Sequence, residues 1–480
     1  MTLGHYFADK IFPEGEEEQK NFLASLFDAA VVGHLCLEVD LPLALPERLV
    51  SEDPLEIFPK KPICRHGNRY YLQRNWVYET RLITHLKRLL QPIESLPMID
   101  AQLLTEEQLT AVKMSLTHRL TLITGGPGTG KTYTAKRIVE SFLQAKPEGR
   151  VLLAAPTGKA AARLESSIAN AHVATLHAHL GRDLREETPL LEADLILVDE
   201  CSMADAVYFS SLFAAVPEGT RLVLIGDGDQ LPPVESGSLF ADLVELAEES
   251  GRIPYVRLTH CLRSDQKQIL ALAKAAREGN SIPILKAMQP IDFWKEIDAH
   301  FSGQEDFDQF RILSCIRKGP FGVDTLNEAI FHYFWERMQP GEFLTSPILI
   351  TKNDPRTGLM NGDTGILRRR YPDLHHGEAI FSKITLPAAL LPPHELAYVL
   401  SVHKSQGSEY ENLILLVPTG SETFGREVLY TAITRAKSSL RIDGDPEVVR
   451  AALNRSSRRV SGLKERGKRY LSFCDACGEA

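Results

Sequence analysis

From residue 118 onward the chain alternates short, continuously apolar runs with longer stretches whose apolar positions recur at helical spacing. RLTLITG, RVLLAAPTG, LILVDE and RLVLIGD carry no polar alternation. Such runs predict strands buried on both faces, as in a parallel sheet covered by helices. With a helical stretch after each, they predict a βαβ series. A second series follows: RILSCI, PILIT, ENLILLVP and SLRIDG. The pattern therefore predicts two parallel-sheet α/β domains.

The flanks read differently. FLASLFDAAVVGHLCLEV (22–39) has helical apolar spacing, a break at Gly33, then a strand. The acidic run EGEEEQK (14–20) before it reads as a solvated helix start. RYYLQRNWVYETRLITHLKRLL (69–90) predicts a strand running into an amphipathic helix. Residues 1–95 thus predict a small helical domain without a catalytic constellation. The first α/β domain is expected over 96–256, with a very short insertion at about 181–194. The second is expected over 257–351 and 396–446. Between its two parts, 352–395 is rich in Pro, Gly and Arg and predicts a small β-rich insertion. Residues 447–480 are expected to form a basic C-terminal tail, with RSSRRVSGLKERGKRYL (455–471) at its centre.

Composition narrows the class. The chain has 480 residues, 44% of them hydrophobic and 24% charged, which excludes disorder for its bulk. The net charge of −9 excludes a globally basic nucleic-acid coat but permits a local basic groove. No apolar run approaches the roughly 18 residues of a membrane span. His5, Asp9 and Lys10 interrupt the start where a leader needs an apolar stretch. A cytoplasmic chain is expected. The seven cysteines are an odd, scattered set and predict no disulfide framework. Cys474 and Cys477 form one CxxC without a second pair nearby, which reads as a frayed tail.

The chemistry begins at GGPGTGKT (125–132), between a predicted strand and a predicted helix. Gly125, Gly126, Pro127, Gly128, Thr129 and Gly130 make a loop whose backbone N–H groups can wrap phosphates. The following helix offers its positive N-terminus. Lys131 reaches the outer phosphates, and the Thr132 hydroxyl can sit on Mg²⁺. ATP and Mg²⁺ are the expected ligands. Asp199 and Glu200 end the LILVDE strand in the same sheet. Asp199 is expected to hold Mg²⁺, and Glu200 to polarise the attacking water. Gln108, in LLTEEQ, can both donate to and accept from an adenine edge. By itself LLTEEQ reads as a helix start capped by Thr105.

A family resemblance rests on the motifs that follow. GDGDQLPPV (226–234) resembles the third motif of superfamily-1 helicases. AAPTGKAAARL, ATLHAHLG, LTHCLRSD, YVLSVHKSQGSEYENL and LYTAITRAKSSLRI resemble further motifs of the set, in order. The GDxxQLPPV form, the SVHKSQGSE form and NGDTGIL (361–367) resemble the RecD family. It comprises the alpha subunit of exodeoxyribonuclease V and its stand-alone relatives, the 5′-to-3′ branch. FADKIF, GHLCLEV and YYLQRNWVYE resemble the front of the complex subunit.

The resemblance implies two RecA-like motor domains, a small SH3-like insertion and a bacterial ATP-dependent DNA helicase in double-strand break repair and recombination. It implies RecB-like and RecC-like partners, the latter docked by the N-terminal domain, and single strands and duplex ends as the DNA. No membrane partner is implied, and nuclease activity falls to a partner. Arg263 and Arg435 are implied as arginine fingers and Gln230 as the γ-phosphate sensor. Gln108, Gly407 and Glu409 are implied as nucleotide contacts. Thr157, Lys159, Thr175, His177, Pro232, His403 and Ser405 lie in motifs that face the DNA strand. A stand-alone helicase and an ATPase-silent interaction subunit stay open as alternatives. The short 181–194 stretch leaves little chain for a strand-separating pin.

Overall fold

The computed structural model describes residues 2–41, 43–54, 56–98, 103–168, 172–175, 180, 188–260, 267–303, 307 and 309–476, with backbone alone for 172–175 and 472–476. Helix Leu3–Ile11 packs on helix Glu17–Val31, whose start is closed by a Glu16–Gln19 capping box. Gly33, at φ 96°, ends this helical stretch in a conformation that favours glycine. Strands β1 (Leu37–Glu38), β2 (Val50–Glu52), β3 (Ile63–His66) and β4 (Arg69–Leu72) then form a sheet in the order β1-β4-β3-β2. The N-terminal unit is therefore mixed α/β, a correction to the helical expectation. β1 and β4 stand where the sequence predicts strands, whereas β2 and β3, of three and four residues, are too short for a period to show.

Helix Gln73–Leu89 joins this unit to the first motor lobe. Its Leu82, Ile83, Leu86 and Leu89 share one core with Leu122, Ile196, Phe209 and Phe213. The lobe's sheet is β5 (Leu120–Gly125), β6 (Val151–Ala155), β7 (His172–Thr175), β8 (Leu195–Val198), β9 (Arg221–Gly226) and β10 (Tyr255–Leu258). All pairings are parallel, in the order β10-β5-β9-β8-β6-β7. Successive residues point to opposite faces, and both faces are covered. Ile196, Val198, Leu222 and Leu224 face the core shared with the N-terminal unit. Leu195, Leu197, Val223 and Ile225 face the core of helix Lys131–Ala145. Of the short insertion, 188–194 is packed on this lobe. Leu191 and Ala193 are buried, and Arg81 donates to Thr188 Oγ1 at 2.8 Å.

The second lobe corrects one strand. Its parallel sheet runs β17-β11-β18-β19, with β11 (Phe310–Ser314) and, beyond the insertion, β17 (Val399–Ser401), β18 (Tyr410–Val417) and β19 (Ala436–Gly444). PILIT is not in it. It ends β12 (Phe343–Ile350), which pairs antiparallel with β13 (Thr364–Arg370) and β16 (His394–Leu396). With β14 (Gly377–Ile380) and β15 (Thr385–Pro387) these make a five-stranded antiparallel sheet, β15-β14-β13-β12-β16. Ile348 and Ile350 are buried in its own core, so the apolar run looks like a motor strand. The inserted sheet therefore begins at Phe343. Its strand order does not by itself carry an SH3-like likeness.

The basic C-terminal segment is a clamp rather than a free tail. Helix Pro446–Asn454 packs on the second lobe through Val449, Ala452 and Leu453. The chain then crosses back, and Leu463 and Leu471 enter the first lobe's core. Most of its cations meet acids of the first lobe or N-terminal unit. Arg458 pairs with Asp242 and Glu245, Lys464 and Lys468 with Glu249, and Arg469 with Asp53. Arg466 Nη1 donates to Glu79 Oε2 at 2.8 Å, and its guanidinium lies 3.5 Å from the Trp76 ring centroid. Glu79 is fully buried and also accepts from Gly462 N. Arg466→Ala leaves that carboxylate without its counter-charge, a loss of about 3 kcal/mol or more. The expected result is a lowered unfolding midpoint and early proteolytic release of the C-terminal helix.

Among the described residues no helix is long and apolar enough to cross a membrane. Cys36, Cys64, Cys201 and Cys315 are buried and free. Cys477 lies outside the described residues, and no side-chain placement is described for Cys474.

Candidate functional site

The phosphate loop follows β5 and runs into helix Lys131–Ala145. Gly128 and Gly130 hold φ of 71° and 81°, so the turn requires glycine there. Thr129 Oγ1 donates to Gly126 O at 2.8 Å. Lys131 Nζ donates to Gly125 O at 2.8 Å and Gly126 O at 3.0 Å, which sets its charge at the loop's mouth.

A cavity of about 280 Å³ opens on this loop between the two lobes. From the first lobe it is lined by residues 127–133, Arg163, Asp199, Glu200 and Gln230. The second lobe contributes Glu409 and Arg435. Residues more than 200 positions apart in sequence thus line one cavity. Arg163 and Tyr133 are additions. Tyr133 directly follows Thr132, and Arg163 lies one helical turn beyond Lys159, a spacing visible in GKAAAR.

Each lining group is held by its own element. Asp199 directly follows β8, and its Oδ1 accepts from Glu200 N at 2.8 Å. Burial and the neighbouring Glu200 charge raise the Asp199 pKa, while the Glu200 N–H, Lys131 and Arg163 draw it back. Glu200 has φ 54°, a conformation that costs a side-chain-bearing residue free energy. Its Oε2 is buried with no hydrogen-bond partner among the described residues, and so is Gln230 Oε1. Unmet acceptors are costly unless a ligand or water serves them. Arg435 is 5% exposed. Its Nε donates to Thr431 O at 3.1 Å, Nη1 to Ser408 O at 3.2 Å and Nη2 to Thr434 Oγ1 at 3.2 Å. Gly407 has φ 72° beside the Glu409 turn, with open space where a Cβ would stand.

Other expected residues sit differently. Gln108 is 1% exposed and forms a capping box with Thr105. Its Oε1 accepts from Thr105 N, and its Nε2 donates to Thr129 O at 3.3 Å. It thereby braces the phosphate loop. Ser405 is fully buried and donates its hydroxyl to Val402 O at 2.7 Å, so it ties its own turn instead of facing a strand. His403 lies in that turn, edge-on to Phe424, with its pKa lowered by burial and by Arg459. Thr157 caps helix Gly158–Ser167 by accepting from Ala160 N, and Lys159 is half-buried on its first turn. Pro232 lines a second inter-lobe cavity of about 240 Å³. Thr175 ends β7. Arg263 and His177 lie outside the described residues.

Two parallel-sheet lobes closing on one phosphate loop, with an arginine held in the far lobe, define a nucleotide-driven motor of the helicase type. Comparison with known families agrees. Residues 103–298 match the AAA domain, and residues 396–442 match the UvrD-like helicase C-terminal domain. The chain is similar to the RecBCD enzyme subunit RecD of Mycolicibacterium smegmatis, at 33% identity over 89% of this chain and 88% of that one. It is 32% identical to the RecBCD enzyme subunit RecD of Mycobacterium tuberculosis, over 91% of this chain and 87% of that one. It is also 30% identical to the ATP-dependent RecD2 DNA helicase of Deinococcus radiodurans, over 86% of this chain and 61% of that one. Among solved structures it is similar to Bacteroides Pif1 bound to single-stranded DNA, at 18% identity over 72% of this chain and 94% of that one, with a TM-score of 0.49. The chain belongs to the RecD family of ATP-dependent DNA helicases.

Proposed function

We propose that this chain is the 5′-to-3′ motor, the alpha subunit, of a RecBCD-type exodeoxyribonuclease V acting at broken DNA ends in repair and recombination. The observation that carries the reading is the convergence of Arg435 from one lobe on Lys131 and the phosphate loop of the other. Such a cleft makes lobe closure depend on nucleotide state.

Lys131 and the loop backbone bind the phosphates. Glu200 orients and polarises the attacking water, which its unmet Oε2 can accept from. Gln230 reads the γ-phosphate through its unmet Oε1. Arg435 stabilises charge in the transition state, and Arg263, outside the described residues, is proposed to do the same. Glu409 and Gly407 contact the nucleotide from the second lobe. Thr132 and Asp199 present the oxygen donors that a hard divalent cation takes, and both line the cavity. A Mg²⁺ ion held by them would neutralise phosphate charge.

The closed state is favoured while γ-phosphate bridges the lobes, and hydrolysis removes that preference. Thr157, Lys159, Thr175, His177, Pro232 and His403 are proposed to track the strand, mostly through its phosphates. The N-terminal unit is proposed to dock a RecC-like subunit, with a RecB-like subunit as the opposing motor. The RecBCD subunit names of the relatives support this.

The test is ATP hydrolysis by the purified chain, alone and assembled with RecB- and RecC-type subunits. It is read with and without single-stranded DNA, beside end-labelled duplexes with one overhang. Expected are stimulation by single strands and unwinding from 5′ overhangs only. Unwinding from 3′ overhangs overturns the direction. A folded chain unstimulated in both settings overturns the motor. An active, soluble monomer that binds neither subunit points to a stand-alone helicase.

A further inference from the structure

Behind the nucleotide cleft one hydrogen-bonded chain crosses from the first lobe to the second. Asp227, just after β9, is 1% exposed. Its Oδ1 accepts from Asp229 N at 3.2 Å. Its Oδ2 accepts from Gln230 Nε2 at 3.2 Å and from Tyr430 Oη at 2.8 Å. Tyr430 is buried on helix Gly425–Ile433 of the second lobe. Its hydroxyl also stands against the phosphate loop, 3.3 Å from where a Cβ on Gly126 would lie.

Two consequences follow for Gln230. With Nε2 anchored on Asp227, the amide is oriented, and Oε1 has no partner among the described residues, in a side chain that borders both inter-lobe cavities. The same helical turn also holds the other reacting group. Thr431 Oγ1 accepts from Leu231 N at 2.8 Å, and Thr431 O accepts from Arg435 Nε at 3.1 Å. One turn of the second lobe therefore sets Gln230, through Asp227, and Arg435 directly.

We infer that Tyr430 is a positioning residue for hydrolysis: its hydroxyl, bonded to Asp227 across the lobe boundary, holds Gln230 in its γ-phosphate orientation only while the lobes are together. Separation of the lobes breaks this bond and frees the Asp227–Gln230 pair to turn. Hydrolysis is thereby conditional on lobe closure, independently of the arginine. The inference rests on the proposed role of Gln230.

The test compares Tyr430→Phe, Gln230→Ala and the double variant. For each, kcat and KM for ATP are measured with saturating single-stranded DNA, together with affinities for ADP and for ADP–aluminium fluoride, and the melting temperature. Tyr430→Phe is expected to lower kcat roughly 10- to 100-fold and to weaken ADP–aluminium fluoride binding in parallel, as for loss of a preorganised donor. KM, ADP affinity and melting temperature stay near wild type. The double variant is no worse than Gln230→Ala alone, since the two act as one unit. Asp227→Ala, which removes the acceptor at the other end of the same bond, shows the same split and serves if Tyr430→Phe does not fold. Wild-type kcat in Tyr430→Phe, or losses that multiply in the double variant, overturns the inference. A wild-type chain that hydrolyses no ATP defeats the functional reading instead. ADP–aluminium fluoride binding then still decides the positioning role.

Discussion

Lys131→Gln leaves a folded chain whose ATP hydrolysis falls by at least about a thousand-fold, to background. Glutamine keeps most of the reach and a hydrogen-bonding end but loses the positive charge. That charge is held at the mouth of the loop by the carbonyls of Gly125 and Gly126. There it meets the outer phosphates as negative charge shifts toward the leaving group. Fold stability is not at risk, because Lys131 opens its helix and a cation at a helix N-terminus opposes the helix dipole. The check is single-strand-stimulated phosphate release beside the unfolding midpoint. Full turnover in a stable variant removes the loop from the chemistry and sinks the assignment.

Arg435→Ala is expected to reduce kcat about a thousand-fold or more, the range for loss of an arginine finger. Arg435→Lys does not restore it. The guanidinium is held as a fork by Thr431 O, Ser408 O and Thr434 Oγ1, and an ammonium cannot reproduce that planar set. ADP affinity is expected to change little, while ADP–aluminium fluoride binding weakens strongly, because the second lobe acts on developing charge. If kcat is unchanged, the second lobe closes on nucleotide without taking part in hydrolysis.

The motor sheets were legible because strands covered on both faces must be apolar throughout, as Leu195–Val198 and Arg221–Gly226 are over most of their length. The same signal misled at PILIT. Ile348 and Ile350 are equally apolar, but what buries them is the inserted antiparallel sheet. An apolar run reports burial and not which sheet buries it. The N-terminal strands were only partly legible: the ones after Gly33 and at RYYL were read, while Val50–Glu52 and Ile63–His66 are too short to show a period. Gln108 carried two readings, a place in a helix start capped by Thr105 and an adenine contact, and its side chain closes the capping box with Thr105. The charge of 455–471 looked like a free basic tail because its partners Asp53, Glu79, Asp242, Glu245 and Glu249 lie far away in sequence.

What the sequence determined by itself is the nucleotide half of the site. A glycine loop, its lysine and its threonine are contiguous, and their strand and helix adjoin them, so local geometry suffices to build a phosphate cradle. What only the tertiary structure decided is how that cradle is coupled. Asp227 and Tyr430 are 203 residues apart, and neither residue type signals a hydrogen bond to the other. Arg435 reaches the loop only because the second lobe folds around its own β11-β18-β19 core and closes on the first. Contacts of that range depend on the packing of two separate cores, which no local spacing of residues records.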